Sequence, residues 1–243
     1  MGDSSLFLMR SKRANMKTIG LLGGLSYPTT VPYYLRLNQL YQAHMGGHHS
    51  CPIILYNIDY HNIRSSYKNE WEKIPDMLEQ EIEALLQLNP SCYMLCNNTL
   101  HKAYNQIESR VKTDIPFLHL IDLTVEFIQL NRIKEVLLLG TKFTMEDSYF
   151  RMPLVDAGIT VHVPNAEERE LINNMQERIE RGEMNTEIST FFQDIADKYN
   201  HVPAVILACT ELPLAFAHVK SESLLIDTIE LQCQKAIQFL IKQ

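Results

Sequence analysis

No stretch of the sequence is apolar for long enough to cross a bilayer: the longest apolar runs, such as residues 136–139, fall far short of the ~20 residues that a spanning helix needs. Basic residues are too few to dominate. With 22 Lys and Arg against 29 Asp and Glu the net charge is −7, which makes the chain a poor electrostatic partner for nucleic acid or an anionic membrane surface. Cysteines number only five, an odd count at irregular positions that does not read as a disulfide framework. A secretory signal is missing too, because the apolar piece 6–9 precedes the basic residues instead of following them, and a reducing cytoplasm is the expected setting. Leu6 stands where a myristoylation motif needs Ser or Thr.

Signatures of cofactors are equally scarce. Gly23-Gly24 lacks the third glycine, the lysine and the spacing of a Walker or Rossmann loop, so nucleotide binding has little support. No lysine stands out for a pyridoxal Schiff base. His48, His49 and His61 read as solvated loop histidines, and the Cys92/Cys96 spacing has no His pair beside it for zinc. Neither a cofactor nor a metal is expected.

What is present fits an ordinary globular protein. The 243 residues are 46% hydrophobic and 21% charged, enough for one large or two small α/β domains with a substantial core. The negative charge is uneven: residues 117–225 hold 17 acidic groups against nine basic ones. There, Glu167, Glu168, Glu170, Glu177, Glu180 and Glu183 recur at helical spacing with Arg169, Arg178 and Arg181, which reads as a solvated helix face. Residues 1–15 mix Ser, Lys and Arg without periodicity and read as a loose extension with no inferred function.

Apolar runs rich in β-branched residues predict strands at 18–22, 52–58, 93–96, 117–120, 136–139, 160–163, 205–208 and 224–226. Helical periodicity separates most of them, at 75–88, 123–130, 167–181, 188–199 and 229–241. Short continuous apolar strands alternating with helices imply parallel sheets covered on both faces, an α/β fold.

The chain also echoes itself. Leu21-Leu22-Gly23 returns as Leu138-Leu139-Gly140, each followed by hydroxyl residues, and Leu95-Cys96-Asn97-Asn98-Thr99-Leu100 returns as Leu207-Ala208-Cys209-Thr210-Glu211-Leu212. Two echoes in the same order suggest duplicated halves whose strand ends face one another across a cleft, where open α/β sheets bind ligands. The alignment sets Asn97 opposite Cys209, each just past a buried strand and at the start of a helix. Such a helix end favours carboxylates and lowers a thiol pKa from about 8.5. Cys209, at a turn and followed by Thr210 and Glu211, is the candidate reactive thiol; no other cysteine shares that position.

The segments Ile19-Gly20-Leu21-Leu22-Gly23-Gly24-Leu25-Ser26, Thr30 with Tyr33-Tyr34, Asn97-Asn98-Thr99-Leu100-His101-Lys102, Gly140-Thr141 with Thr144-Met145-Glu146, and Ala208-Cys209-Thr210-Glu211 resemble the aspartate/glutamate racemase family, in order from Met16 to the C-terminus. The resemblance implies cofactor-independent racemisation of an acidic amino acid, in a cleft between two pseudo-symmetric α/β domains of a homodimer. With the echo it divides the chain into residues 16–116 plus 226–243 and residues 117–225. In such enzymes one residue takes the Cα proton and another returns one on the opposite face.

The family's second catalytic position, serving the L face, is matched by Cys209. The first, usually Cys and in some members Thr, falls on Asn97, while Cys96 is one residue too early and points elsewhere. An amide has no protonation change near neutral pH, so Asn97 is not a conventional acid or base. It is left to bind a carboxylate or hold a water. The resemblance puts the α-carboxylate against Asn98, Thr99, Thr141 and Thr210, with Ser26 closing over it and Thr30, Thr144 and Glu211 in the matched motifs. Arg64 and Arg169 are the candidate cations for a second carboxylate, with an intrahelical salt bridge as the rival role for Arg169. Two alternatives stay open: a single-cysteine decarboxylase or isomerase of the same superfamily, and an amino-acid-binding protein that has lost turnover.

Overall fold

The computed structural model describes residues 17–241, so the expected extension at 1–15 lies outside the described residues. Strands β1 (Ile19–Gly23), β2 (Ile53–Asn57) and β3 (Cys92–Leu95) form a first sheet in the order β2-β1-β3. Strands β4 (Glu135–Gly140), β5 (Thr160–His162), β6 (Ala204–Ala208) and β7 (Leu224–Asp227) form a second in the order β5-β4-β6-β7. Every pairing is parallel. Strands β1, β3 and β6 are buried along their whole length, which is why they read as unbroken apolar runs.

Alternate residues of each strand feed opposite faces of its sheet. In the first sheet, Ile19, Leu21, Cys92 and Met94 pack under α1 (Tyr27–Met45). After the short α2 (His61–Ser66), α3 (Ile74–Leu86) and α4 (His101–Ile107) cover Leu22, Tyr93 and Leu95 on the other face. In the second sheet, α5 (Leu120–Leu130) covers Val136, Leu138, Ala204 and Ile206; past α6 (Lys142–Glu146), α7 (Ser148–Asp156) joins it on that face. Leu137, Leu139, Val205 and Leu207 meet α8 (Ala166–Glu180), α9 (Thr186–Lys198) and α10 (Leu212–Phe216). The last helix, α11 (Thr228–Ile241), leaves the second sheet and inserts Ile229, Cys233, Ala236 and Ile237 into the first sheet's core beside α1.

The echo has a structural counterpart. Leu22 pairs with Leu95 in the first sheet, and Leu139 pairs with Leu207 in the second. Both echoed motifs therefore supply equivalent positions on neighbouring strands. Phe117 makes a parallel bridge to Tyr93, taking the place beside β3 that β7 takes beside β6. Phe117, expected in the second domain, pairs with the first sheet, and Ile226 and Asp227, expected in the first, belong to β7 in the second.

Two expectations differ from the fold. Of the strand expected at 117–120 only Phe117 pairs, because the His119 side chain caps α5 by accepting the Asp122 N–H, and Leu120 is already helical. Helix α1 is 19 residues long and carried no clear helical signal. Pro32 removes one of its internal hydrogen bonds, and Tyr27, Val31, Tyr34 and Leu35 expose large apolar side chains that blur the buried stripe of Thr30, Tyr33 and Leu37. Among the described residues no helix is long and apolar enough to cross a membrane.

Candidate active site

The segments that follow β1, β3, β4 and β6 converge on a cleft of ≈ 390 Å³. They contribute Ser26, the run Asn97-Asn98-Thr99, Thr141 with Thr144, and the run Cys209-Thr210-Glu211. The strand-end location expected for the site is thus built from both sheets. Arg64 also lines the cleft, from α2.

The turn after β1 depends on glycine. Gly24 has φ +77°, and a Cβ there would lie 2.1 Å from the Ile58 carbonyl oxygen. Its N–H donates to Thr30 Oγ1 at 2.9 Å, and that hydroxyl donates to the Ser26 carbonyl at 3.2 Å. Thr30 is 4% exposed and does not line the cleft. The structure therefore makes Thr30 a support of the Ser26 turn, not a substrate contact.

Asn97 is committed in both directions. Its Nδ2 donates to the Leu25 carbonyl at 2.8 Å, and its Oδ1 accepts the Leu100 N–H at 2.9 Å. Thr29 Oγ1 adds a bond to the Cys96 carbonyl at 3.0 Å. The Asn97 side chain thus ties the turn after β1 to the turn after β3. Cys96, one residue earlier, faces the core packed by α1 and α11, and burial pushes its thiol up.

Cys209 lines the cleft and is 5% exposed. Burial raises its pKa well above the ordinary thiol range, and the Glu211 carboxylate raises it further. Backbone N–H groups of Leu212 and Glu211 pull the other way. The lowered thiol expected from a helix start is overturned, since α10 is five residues long and its N–H groups do not offset desolvation. Glu211 accepts from Thr210 Oγ1 at 2.5 Å and from Gln176 Nε2 at 3.4 Å.

Hydroxyls line the adjoining wall. Thr141 caps α6 by accepting the Thr144 N–H at 3.0 Å; its hydroxyl lies 3.0 Å from that of Thr144, which is 2.9 Å from Tyr149 Oη. Asn98 donates to Thr228 Oγ1 at 3.3 Å, leaving its buried Oδ1 without a protein partner.

Of the two expected cations only Arg64 is in place, its guanidinium 4.9 Å from the centre of the Tyr67 ring. Arg169 lies outside the cleft, bonded to Glu146 at 3.2 Å and to the Pro164 carbonyl at 2.7 Å. Its partner comes from α6, not from its own helix, because the first turn of α8 packs beside that helix. Sequence reasoning missed the face of α8 that carries Asn173, Gln176, Glu177 and Glu180. Its signal was the i, i+3, i+4, i+7 spacing. Two of the six glutamates read as a solvated face, Glu177 and Glu180, in fact line the cleft.

Between the two halves, Lys102 of α4 pairs with Asp147 at 2.6 Å. The Lys102 ammonium lies 4.9 Å from the ring centres of both Trp71 and Phe143, joining elements that belong to different sheets. Among the described residues no cluster of three or more His, Cys, Asp or Glu side chains is placed to hold a metal ion.

Comparison with known proteins adds an independent line. Residues 22–236 match the family described as Asp/Glu/Hydantoin racemase. A Yersinia pestis protein assigned provisionally to the Asp/Glu racemases superposes with a TM-score of 0.84 at 31% identity, covering 93% of this chain and 100% of that one. An aspartate racemase homologue from Pyrococcus horikoshii gives 0.83 at 28% identity, with the same coverage. The broad specificity amino-acid racemase RacX of Bacillus subtilis is 24% identical over 132 residues, a stretch that spans 54% of this chain and 56% of that relative.

Proposed function

Because the chain belongs to the Asp/Glu/Hydantoin racemase family, we propose that it transfers a proton at the Cα of an α-amino acid without a cofactor, with Cys209 as the acid/base on the L face. The observation that carries this reading is the position of Cys209, on the cleft at the end of β6 and beside a carboxylate that disfavours its thiolate. A thiol of raised pKa is a strong base once deprotonated, which suits a weakly acidic C–H bond. Asn98, Thr99, Thr141 and Thr210 hold the α-carboxylate, with Ser26 over it and Thr144 supporting Thr141.

The opposite face has no thiol. Asn97 cannot titrate, and both ends of its amide are engaged by backbone groups. Removal and return of the L-face proton through Cys209 is then faster than inversion, which depends on water reaching the other face. Of the two cations expected for a side-chain carboxylate of aspartate or glutamate, Arg64 remains, and the cleft it lines also holds Glu177 and Glu180. The homodimer implied by the resemblance belongs to the same reading, supported by the apolar face that Tyr27, Val31, Tyr34 and Leu35 expose on α1.

The test is incubation with L- and D-amino acids in D₂O, following Cα deuteration and optical rotation together. Deuteration of the L form outpacing inversion is expected, and Cys209→Ala should abolish both. Exchange at an unchanged rate in Cys209→Ala would sink the mechanism. Saturable binding with no exchange in the wild type would favour the binding-protein alternative.

A further inference from the structure

The wall contributed by α8 differs in character from the strand-end half of the cleft. Gln176 sits at the level of the reacting end, because its Nε2 donates to Glu211, two residues from Cys209. Its Oε1 is buried and has no protein partner. One turn further along the helix, a rise of about 6 Å, Glu180 lines the same cleft, and its carboxylate has no hydrogen bond or ion pair among the described residues. Glu177 lies between them and accepts from Asn173 at 3.0 Å. A substrate side chain running outward from Cys209 along this face meets acceptors: an amide oxygen and two carboxylates.

The facing lip carries Arg64 and Lys68. Counted over the whole lining, these two cations stand against three carboxylates, Glu177, Glu180 and Glu211. Glu180 feels both sides: its carboxyl is raised by partial burial and by Glu211, and opposed by Arg64. A substrate carboxylate approaching Arg64 would add a fourth negative group beside Glu180 and leave Gln176 Oε1 without a donor. An N–H-bearing side chain removes both penalties, since each unpaired buried acceptor and each like-charge contact disfavours the wrong ligand.

We infer that the cleft selects an α-amino acid whose side chain reaches about one helical turn along α8 and ends in N–H donors, with Gln176 Oε1 and the Glu180 carboxylate as acceptors. Glutamine and lysine have this length and chemistry; aspartate lacks both, and glutamate has the length alone. The inference rests on Cα proton transfer at Cys209 for its rate measurement, and it concerns the selectivity of that same site.

The isosteric pair L-glutamine and L-glutamate provides the test, with L-lysine and L-aspartate as further arms, by Cα–H exchange in D₂O with the full chain and by calorimetric binding of each amino acid. Glutamine exchange should exceed glutamate exchange by at least about tenfold, the order expected when a site's buried acceptors are left unpaired by the wrong ligand. Glu180→Lys should reduce or reverse that ratio, while Glu180→Gln, which keeps the shape of the side chain, should shift it part of the way. Glutamate equal to or faster than glutamine in the wild type, or a ratio unmoved by Glu180→Lys, would overturn the inference. Absence of exchange on every amino acid, with calorimetry still favouring glutamine over glutamate, would refute proton transfer and uphold the selectivity; binding that favours glutamate would refute the selectivity as well.

Discussion

Replacing Asn97 by Ala isolates what this amide contributes between the turn after β1 and the turn after β3. The substitution removes the bond to the Leu25 carbonyl at 2.8 Å and the bond from the Leu100 N–H at 2.9 Å. Leu25 and Leu100 are fully buried residues, so water does not readily replace the lost partner. At ~1 kcal/mol net for each bond, and more where a backbone group stays unpaired, the loss is about 2–4 kcal/mol. For a chain of this size ~1 kcal/mol corresponds to roughly 2–4 °C, so the melting temperature should fall by at least about 4 °C. Thermal unfolding followed by circular dichroism, with urea titration alongside, measures it. Asn97→Cys should suffer the same loss while gaining an acid/base on the second face, so inversion speeds up relative to L-face exchange. Asn97→Ala melting within about 1 °C of the wild type would refute the latch. Asn97→Cys with no gain in inversion would refute the assignment of this position to the opposite face.

The pH dependence of exchange follows from the groups around Cys209. Its folded pKa lies above the ordinary thiol value, so the thiolate is scarce at neutral pH and the L-face rate should climb as pH rises through and beyond the ordinary thiol range. Glu211→Gln removes the neighbouring carboxylate that raises the thiol and should move that climb to lower pH; a profile that stays in place or moves upward would contradict the assignment. Gly24→Ala forces a Cβ to within 2.1 Å of the Ile58 carbonyl at φ +77°. Strain and overpacking together should cost roughly 2–5 kcal/mol, read as a lower urea midpoint, and a wild-type midpoint would show that the turn relaxes freely.

Much of the fold was legible because buried parallel strands advertise themselves. Seven of the eight expected strands are present, since their runs are apolar on both faces. The exception, 117–120, failed because the His119 cap starts α5 there. Helix α1 was illegible because its apolar residues are divided between a buried stripe and an exposed face, and the sequence carries no mark of which is which.

The site divides along the same line. Strand alternation and the position just past a buried strand are local properties, and they distinguished Cys209 from the other cysteines and separated Asn97 from the core-facing Cys96. Ten of the twelve expected site residues line the cleft for the same reason: they belong to strand-end turns or, for Arg64 and Thr144, to the helices that follow a strand. Long-range contacts decided the rest. Asn97 meets Leu25 across 72 residues, Gln176 meets Glu211 across 35, and Arg169 is taken by Glu146 across 23. Helical spacing grouped the charges of α8, but only the burial of Ile172 and Ile179 in the second sheet's core turned Glu177 and Glu180 toward the cleft. The direction of the Cys209 shift likewise belongs to the tertiary structure, because desolvation depends on the whole surrounding core while the opposing N–H groups are supplied by Glu211 and Leu212, two and three residues along the chain.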